Sequence, residues 1–340
     1  MRLLTALTVA AVAAVGAVGV AHADDGVMKM ATVAPTGTPW AALLKKYRQN
    51  VKKAAEAAGT EIKIKVYMGG IKGDEQSSVR QVFKGTLQSA GVSTGAVSVL
   101  VPAVDTLELP YLFKDFDEAD KVLDAVRGEL DALLATKGLK LLMYSENGYR
   151  SFGGKKFFKT PEDMKAVKMR SQESSVHVGM YRALGASPVT MSVGEVMSGL
   201  QTEVVKGFDN TPLFTQAAGW NQAVSHYTVS RHIYQPALIL VNKGWFDGLP
   251  KATQDILLNE AKALEGKGRK LVRLLNPKLI ENLKAGGLEV YEHTAAESEA
   301  FRTATRSVWA LRRKELQDAG DTTGVAFFDA VMKAKGVAKP

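Results

Sequence analysis

Residues 61–75 read EIKIKVYMGGIKGDE. Ile62, Ile64 and Val66 alternate with Lys63, Lys65 and Tyr67, the period of two that gives a strand one apolar face. Gly69, Gly70 and Gly73 then turn the chain, and Val79, Val82 and Phe83 follow at helical spacing. Upstream, residues 27–34 (VMKMATVA) read as a strand closed by Pro35, Gly37 and Pro39. From Trp40, WAALLKKYRQNVKKAAEAAG puts Leu43, Leu44, Tyr47 and Val51 on one helical face, and Gly59 stops it. Strand, helix, strand, helix is the grammar of an α/β fold.

The same grammar continues downstream. Asp115, three residues before Glu118, opens a helix carrying Val122, Leu123, Leu130 and Leu134 toward Gly138. Residues 140–154 (KLLMYSENGYRSFGG) read as a strand leaving into a loop that holds Glu146, Tyr149 and Arg150. Thr160-Pro161 starts a helix, 166–170 (AVKMR) is a strand, and 175–185 is a helix stopped by Gly185. A short strand (186–191) and a helix capped at Ser192 follow; Gly207 ends that helix, and Asn210 lies just beyond. Ala237 to Val241 is an apolar strand. Lys251 to Leu275 is a long charged helix with a break or kink at Asn276-Pro277, and 294–316 is a last helix before a loose tail. No flexible linker separates the α/β units, so two domains crossed by several chain passes are expected, with a cleft between them.

The first residues, MRLLTALTVAAVAAVGAVGVAHAD, combine one arginine, an uncharged run from Leu3 to Ala21 and an Ala21-His22-Ala23 cleavage pattern. That order predicts a signal peptide over 1–23 and export to the periplasm after cleavage at Ala23; a membrane anchor is the competing reading. The 44 basic and 35 acidic residues give a net charge of +9, a modest bias that could draw anions to a cleft. The basic residues are dispersed and only four tryptophans are present, so no nucleic-acid partner is expected. The lack of cysteine excludes disulfides, thiolate catalysis and cysteine metal sites. His22, His177, His226, His232 and His293 form no HExxH motif, and GxSxG, Walker and dinucleotide signatures are missing. No catalytic residue, metal or cofactor is expected, and a secreted hydrolase is the weaker rival.

Three positions combine a polar donor with the end of an element: Arg150, Arg170 and Asn210. In α/β sheets, ligands bind beyond the carboxyl ends of strands. A guanidinium fork matches a carboxylate, and an asparagine amide can both donate and accept. On these residues alone, an internal salt bridge for Arg170 and an anion clamp both stay open.

The strings ENGYR, KTPEDMKAVKMR and ALGASPVTMSVGEVMSGLQTEVVKGFDN, with the earlier GGIKGDE and LELPYLF, resemble the DctP-type extracytoplasmic solute-binding proteins of TRAP transporters. The resemblance implies a periplasmic-binding-protein-like fold: two α/β domains around a ligand cleft, with crossing strands and a long spanning helix. By analogy, domain one takes 24–147 with 236–275, domain two takes 148–235 with 276–330, and 331–340 is a tail. It further implies a small organic carboxylate held chiefly by Arg170, with Arg150 as second contact and Asn210 as a polar one. Glu146, Tyr149 and Trp220 complete the expected ligand-binding set. Phe208-Asp209-Asn210-Thr211-Pro212 departs from the family's usual Gln-Glu-Asn-Pro, and Lys206 replaces a common acid. The implied partners are the small and large membrane subunits of a sodium-coupled transporter. The protein is expected to be a monomer; a binding protein of another uptake or sensory system is the alternative.

Overall fold

A computed structural model describes residues 26–338. The expected signal peptide and its cleavage point lie outside the described residues. Among the described residues nine strands form one sheet: β1 (Val27–Ala31), β2 (Lys63–Tyr67), β3 (Ser89–Ser93), β4 (Leu139–Gly154), β5 (Lys168–Ser171), β6 (Ser187–Thr190), β7 (Gly207–Asn210), β8 (His226–Asn242) and β9 (Glu289–Glu292). Their order is β2-β1-β3-β8-β4-β7-β5-β6, with β9 also paired to β8.

The opening stretch behaves as its alternation dictates. Ile64 is buried, while Lys63 and Lys65 stay in solvent on β2, the edge strand, where charged side chains discourage pairing with another chain. The preceding helix, Pro39–Ala57, is capped by Thr38, whose hydroxyl accepts from Ala41 N at 3.2 Å. It buries Leu43, Leu44, Tyr47 and Val51. In the helix Glu75–Phe83, Val79 and Val82 turn inward as expected, but Phe83 is exposed.

Two long strands organise the molecule. β4 and β8, 16 and 17 residues long, pair antiparallel along nearly their whole length and belong to both lobes. In lobe one, β8 meets β3 through Ala237–Val241. In lobe two, Ser151–Gly154 of β4 meets β7, and His226–Val229 of β8 meets β9. The ladder shifts register between Glu146 and Gly148, and Gly148 sits at φ +95°, a conformation open to glycine and costly for other residues. Glu146, Tyr149 and Arg150 therefore lie inside a strand, not in the loop the sequence suggested. Both faces of β4 are covered, so it lacks the alternation that would have announced it.

Lobe one packs on both faces of its half-sheet. Leu44, Tyr47, Ile239, Leu257 and Ala261 form one layer; Val79, Val97, Leu107, Leu123 and Phe328 belong to the other. Lobe two does the same with Phe152, Met169, Tyr181 and Phe301 against one face and Val196, Phe208 and Trp220 against the other.

Three expectations about the C-terminal third need correction. Of the break or kink expected at Asn276-Pro277, the break is absent: Lys251–Ala285 is one 35-residue helix that runs through Pro277. Leu257, Ala261 and Leu264 anchor it to lobe one and Leu283 to lobe two, so packing on both sides offsets the bond that proline cannot make. The expected helix over 294–316 is two, Ala295–Thr305 and Ser307–Asp318. A further helix, Thr322–Lys335, follows; Asp321 caps it by accepting from Gly324 N at 2.8 Å. Its Phe327, Phe328, Val331 and Met332 enter the core of lobe one. The chain thus returns to lobe one before residue 330, and residues 331–335 are packed helix, not tail.

Candidate functional site

The cleft is walled by both lobes and floored where β4 and β8 cross. Thr32, Thr38, Trp40 and Glu75 come from lobe one; Arg170, Gln172, Asn210 and Phe214 from lobe two; Asn147, Arg150 and Gln235 from the crossing strands. The void they leave is narrow, about 40 Å³, room for only a few waters.

β5 delivers Arg170. Along this strand side chains alternate, so Met169 enters the lobe-two core while Arg170 emerges on the other side beside Trp220. Nε and Nη2 of Arg170 both donate to the Met191 carbonyl, at 3.1 and 2.8 Å. Its guanidinium lies 5.3 Å from the centre of the Trp220 ring. The residue is 3% exposed, and among the described residues no carboxylate is within ion-pairing distance of it. Burial, helped by the Arg150 guanidinium, pushes its pKa down to about 10, which still leaves it charged at neutral pH. Both N–H groups of Nη1 and one of Nη2, the end fork of the guanidinium, have no protein acceptor among the described residues.

Arg150 is equally buried and differently occupied. Nε donates to Asp209 Oδ2 at 2.5 Å, Nη2 to the Asp209 carbonyl at 2.5 Å, and Nη1 to Gln235 Oε1 at 2.8 Å. Asp209 also accepts from the Tyr181 hydroxyl at 2.8 Å, and His232 Nε2 stands 3.4 Å from it. Burial alone would raise the Asp209 carboxyl; Arg150, aided by His232, holds it well below the usual range. Beneath this pair, Glu108 accepts from Gln172 Nε2 at 3.0 Å, His177 Nε2 at 2.6 Å and Gln235 Nε2 at 2.9 Å. It also accepts from Thr94 Oγ1 and Gly95 N. A Cβ on Gly95 would lie 1.9 Å from Gln172 Nε2, so only glycine permits this contact between the lobes.

Asn210 ends β7 rather than following a helix stop at Gly207, because 207–210 pair with β4 and β5. It lines the cleft, its Oδ1 accepting from Thr211 N at 2.8 Å. Thr211 in turn caps Pro212–Ala217, whose Phe214 closes the same wall.

The remaining expected ligand residues are placed elsewhere. Glu146 is fully buried but bound to Arg273 of the long helix, at 2.7–3.1 Å, and to the Tyr234 hydroxyl at 2.7 Å. Burial pushes its pKa up and Arg273 opposes that. Tyr149 packs against Phe116 and Tyr234, its hydroxyl reaching the Phe113 carbonyl at 3.4 Å. Neither lines the cleft, because the register shift at Gly148 and the pleat turn them away from Arg150. Trp220 is a core residue, 1% exposed, touching Phe208 and Phe214 by its edges; it supports Arg170 from below rather than forming a wall. Trp40, Glu75, Gln172 and Gln235 were not anticipated. Glu75 opens a helix beyond the carboxyl end of β2, and Gln172 lies two residues past Arg170, so the strand-end rule that singled out Arg170 also covers both. No local pattern marks Gln235, which reaches the floor only because β8 crosses between lobes.

The fold and part of the sequence are shared with known proteins. A family model described as bacterial extracellular solute-binding protein, family 7 (DctP), matches residues 30–315. The 2,3-diketo-L-gulonate-binding periplasmic protein YiaO of Escherichia coli (strain K12) is 32% identical over 246 residues, 72% of this chain and 74% of its own. The C4-dicarboxylate-binding periplasmic protein DctP of Rhodobacter capsulatus is 30% identical over 315 residues, 88% and 90% of the two chains. The crystal structure of a TRAP periplasmic solute-binding protein from Roseobacter denitrificans with bound β-D-glucuronate has a TM-score of 0.82 at 26% identity. That match covers 89% of this chain and 99% of the other.

Proposed function

The chain belongs to the DctP family of periplasmic solute-binding proteins of TRAP transporters, and on that premise we propose that it captures a small organic acid on Arg170 and delivers it to the transporter's membrane subunits. The family is one of binding proteins, not of enzymes. The observation that carries the proposal is a buried guanidinium without a carboxylate partner among the described residues. Taking such a charge out of water is costly unless something pairs with it, and the end fork of Arg170 offers a carboxylate two parallel hydrogen bonds. The Met191 carbonyl and the Trp220 face fix the fork before the solute arrives, which lowers the ordering cost of binding. Arg150 lines the cleft beside the clamp with its charge already paired to Asp209, so Arg170 is left as the cation for the solute. Solutes named for three relatives (2,3-diketo-L-gulonate, C4-dicarboxylates and β-D-glucuronate) all carry a carboxylate. The site lies between two lobes joined by β4 and β8, and in this reading the lobes part about that crossing to admit the solute and close to exclude water.

A thermal-shift screen of residues 24–340 against organic acids tests the reading. Ligand that binds only the folded chain raises Tm by mass action. Arg170→Ala should cost about 2–5 kcal/mol of affinity, the usual loss for one partner of a buried charge pair, and erase the shift. A shift of undiminished size in that variant would remove Arg170 as the clamp.

A further inference from the structure

We propose that the solute carries one carboxylate, not two, that it meets the lobe-one wall with hydroxyl groups, and that Glu75 enforces this choice. The inference rests on Arg170 being the carboxylate clamp.

Charge counting leads to it. Among the described residues, three ionisable side chains line the cleft: Arg170, Arg150 and Glu75. Arg150 is committed to Asp209 and Gln235, so Arg170 is the one uncommitted cation among the described lining residues. A dicarboxylate seated on Arg170 would bring its second carboxylate to the lobe-one wall, where the charged group is itself a carboxylate. Glu108, directly behind Gln172 and Gln235, adds more negative charge from below. Two carboxylates brought together away from water cannot both stay ionised without a large penalty.

The same wall suits hydroxyls. Glu75 accepts from Ser93 N and Ser93 Oγ, each at 2.8 Å, which occupies about two of the four lone-pair sites of a carboxylate and leaves the others for O–H donors. Thr32, Thr38, Gln76 and Asn147 line the cleft beside it as uncharged donors and acceptors. Asp74, not Glu75, caps the helix that starts here, accepting from Ser77 N at 2.7 Å. Glu75 is thus not required as the cap, and its one structural tie among the described residues is to Ser93.

Matched acids decide the matter. D-Gluconate and D-glucarate differ only in a terminal CH2OH or carboxylate, and titration calorimetry on the intact mature chain compares them directly. Wild type should prefer gluconate by ~30-fold or more, the consequence of a like-charge contact. Glu75→Gln should bring the ratio to within a few-fold, chiefly by strengthening glucarate. Arg170→Ala should abolish binding of both. Glucarate or succinate binding wild type as tightly as gluconate would overturn the inference while leaving the clamp intact, because Arg170→Ala would still remove it. A Glu75→Gln variant that weakens both acids equally would make Glu75 structural and also sink the proposal; the wild-type ratio needs no variant to be read. Binding of neither acid, or binding indifferent to Arg170→Ala, would overturn this inference together with the reading beneath it.

Discussion

Arg150 and Arg170 stand on neighbouring parts of one half-sheet, beside one cleft, both almost fully buried. Around Arg150 every guanidinium nitrogen has a protein acceptor, and Asp209 supplies the opposite charge. That carboxylate outweighs burial and lifts the Arg150 pKa, whereas burial and Arg150 itself pull Arg170 down to about 10. One arginine completes an internal network; the other is left one anion short. The difference teaches that burial of a charge does not define its role. What defines it is whether the chain supplies the counter-charge, and here a single residue of β7, Asp209, makes the distinction.

The largest expected effect is the contrast between two substitutions of equal type. Arg150→Met leaves Asp209 buried without its main cation and should cost about 3–5 kcal/mol of folding stability. Arg170→Met removes a charge that has no partner among the described residues, so in the solute-free protein it should be neutral or stabilising. Urea denaturation of both variants checks this. Equal losses would erase the comparison and give Arg170 a structural role.

A pH experiment sharpens the Arg150 side. His232 stacks on Phe152 at 4.0 Å, shares a hydrogen bond of 2.7 Å between Nδ1 and Ser230 Oγ, and has Nε2 at 3.4 Å from Asp209. Burial pushes its pKa down to about 4. Between pH 6.5 and 4 the unfolded chain therefore binds the proton that the folded chain refuses, and the contribution to stability falls as pH falls. The stability difference between wild type and His232→Asn should shrink by up to about 3 kcal/mol from pH 7 to pH 4. A difference flat with pH would mean His232 titrates normally and shares with Arg150 the task of neutralising Asp209.

How far these two arginines could be told apart from sequence follows from where their partners lie. The α/β class, the first helix and the β2 alternation rest on local periodicity, and local periodicity was legible. Arg170 was legible as a candidate because it ends a short strand. Its freedom from a salt bridge was not, since that depends on the position of every acid in the fold. Arg150 looked like a loop residue because β4, covered on both faces, shows no alternation that marks a strand. Asp209 was visible only as a departure from the family's usual string. The return of Thr322–Lys335 to lobe one had a readable signal, an Asp321 cap ahead of Phe327, Phe328, Val331 and Met332. What no local pattern could supply was which lobe that face would cover.

The smallest expected effect concerns Tyr149, the immediate neighbour of Arg150. Its ring lies 5.1 Å from Phe116 and 5.4 Å from Tyr234, outside the cleft lining, and its hydroxyl makes one long bond of 3.4 Å. Tyr149→Phe keeps the ring packing and removes only that bond. It should change stability by no more than about 0.5 kcal/mol, the low end for a hydrogen bond, and leave solute affinity unchanged. One residue along β4 thus separates a substitution that cripples the fold from one that is almost silent. A tenfold loss of affinity in Tyr149→Phe would mean that the solute reaches past Arg150 to the far side of the strand, and the boundary drawn between network and cleft would have to move.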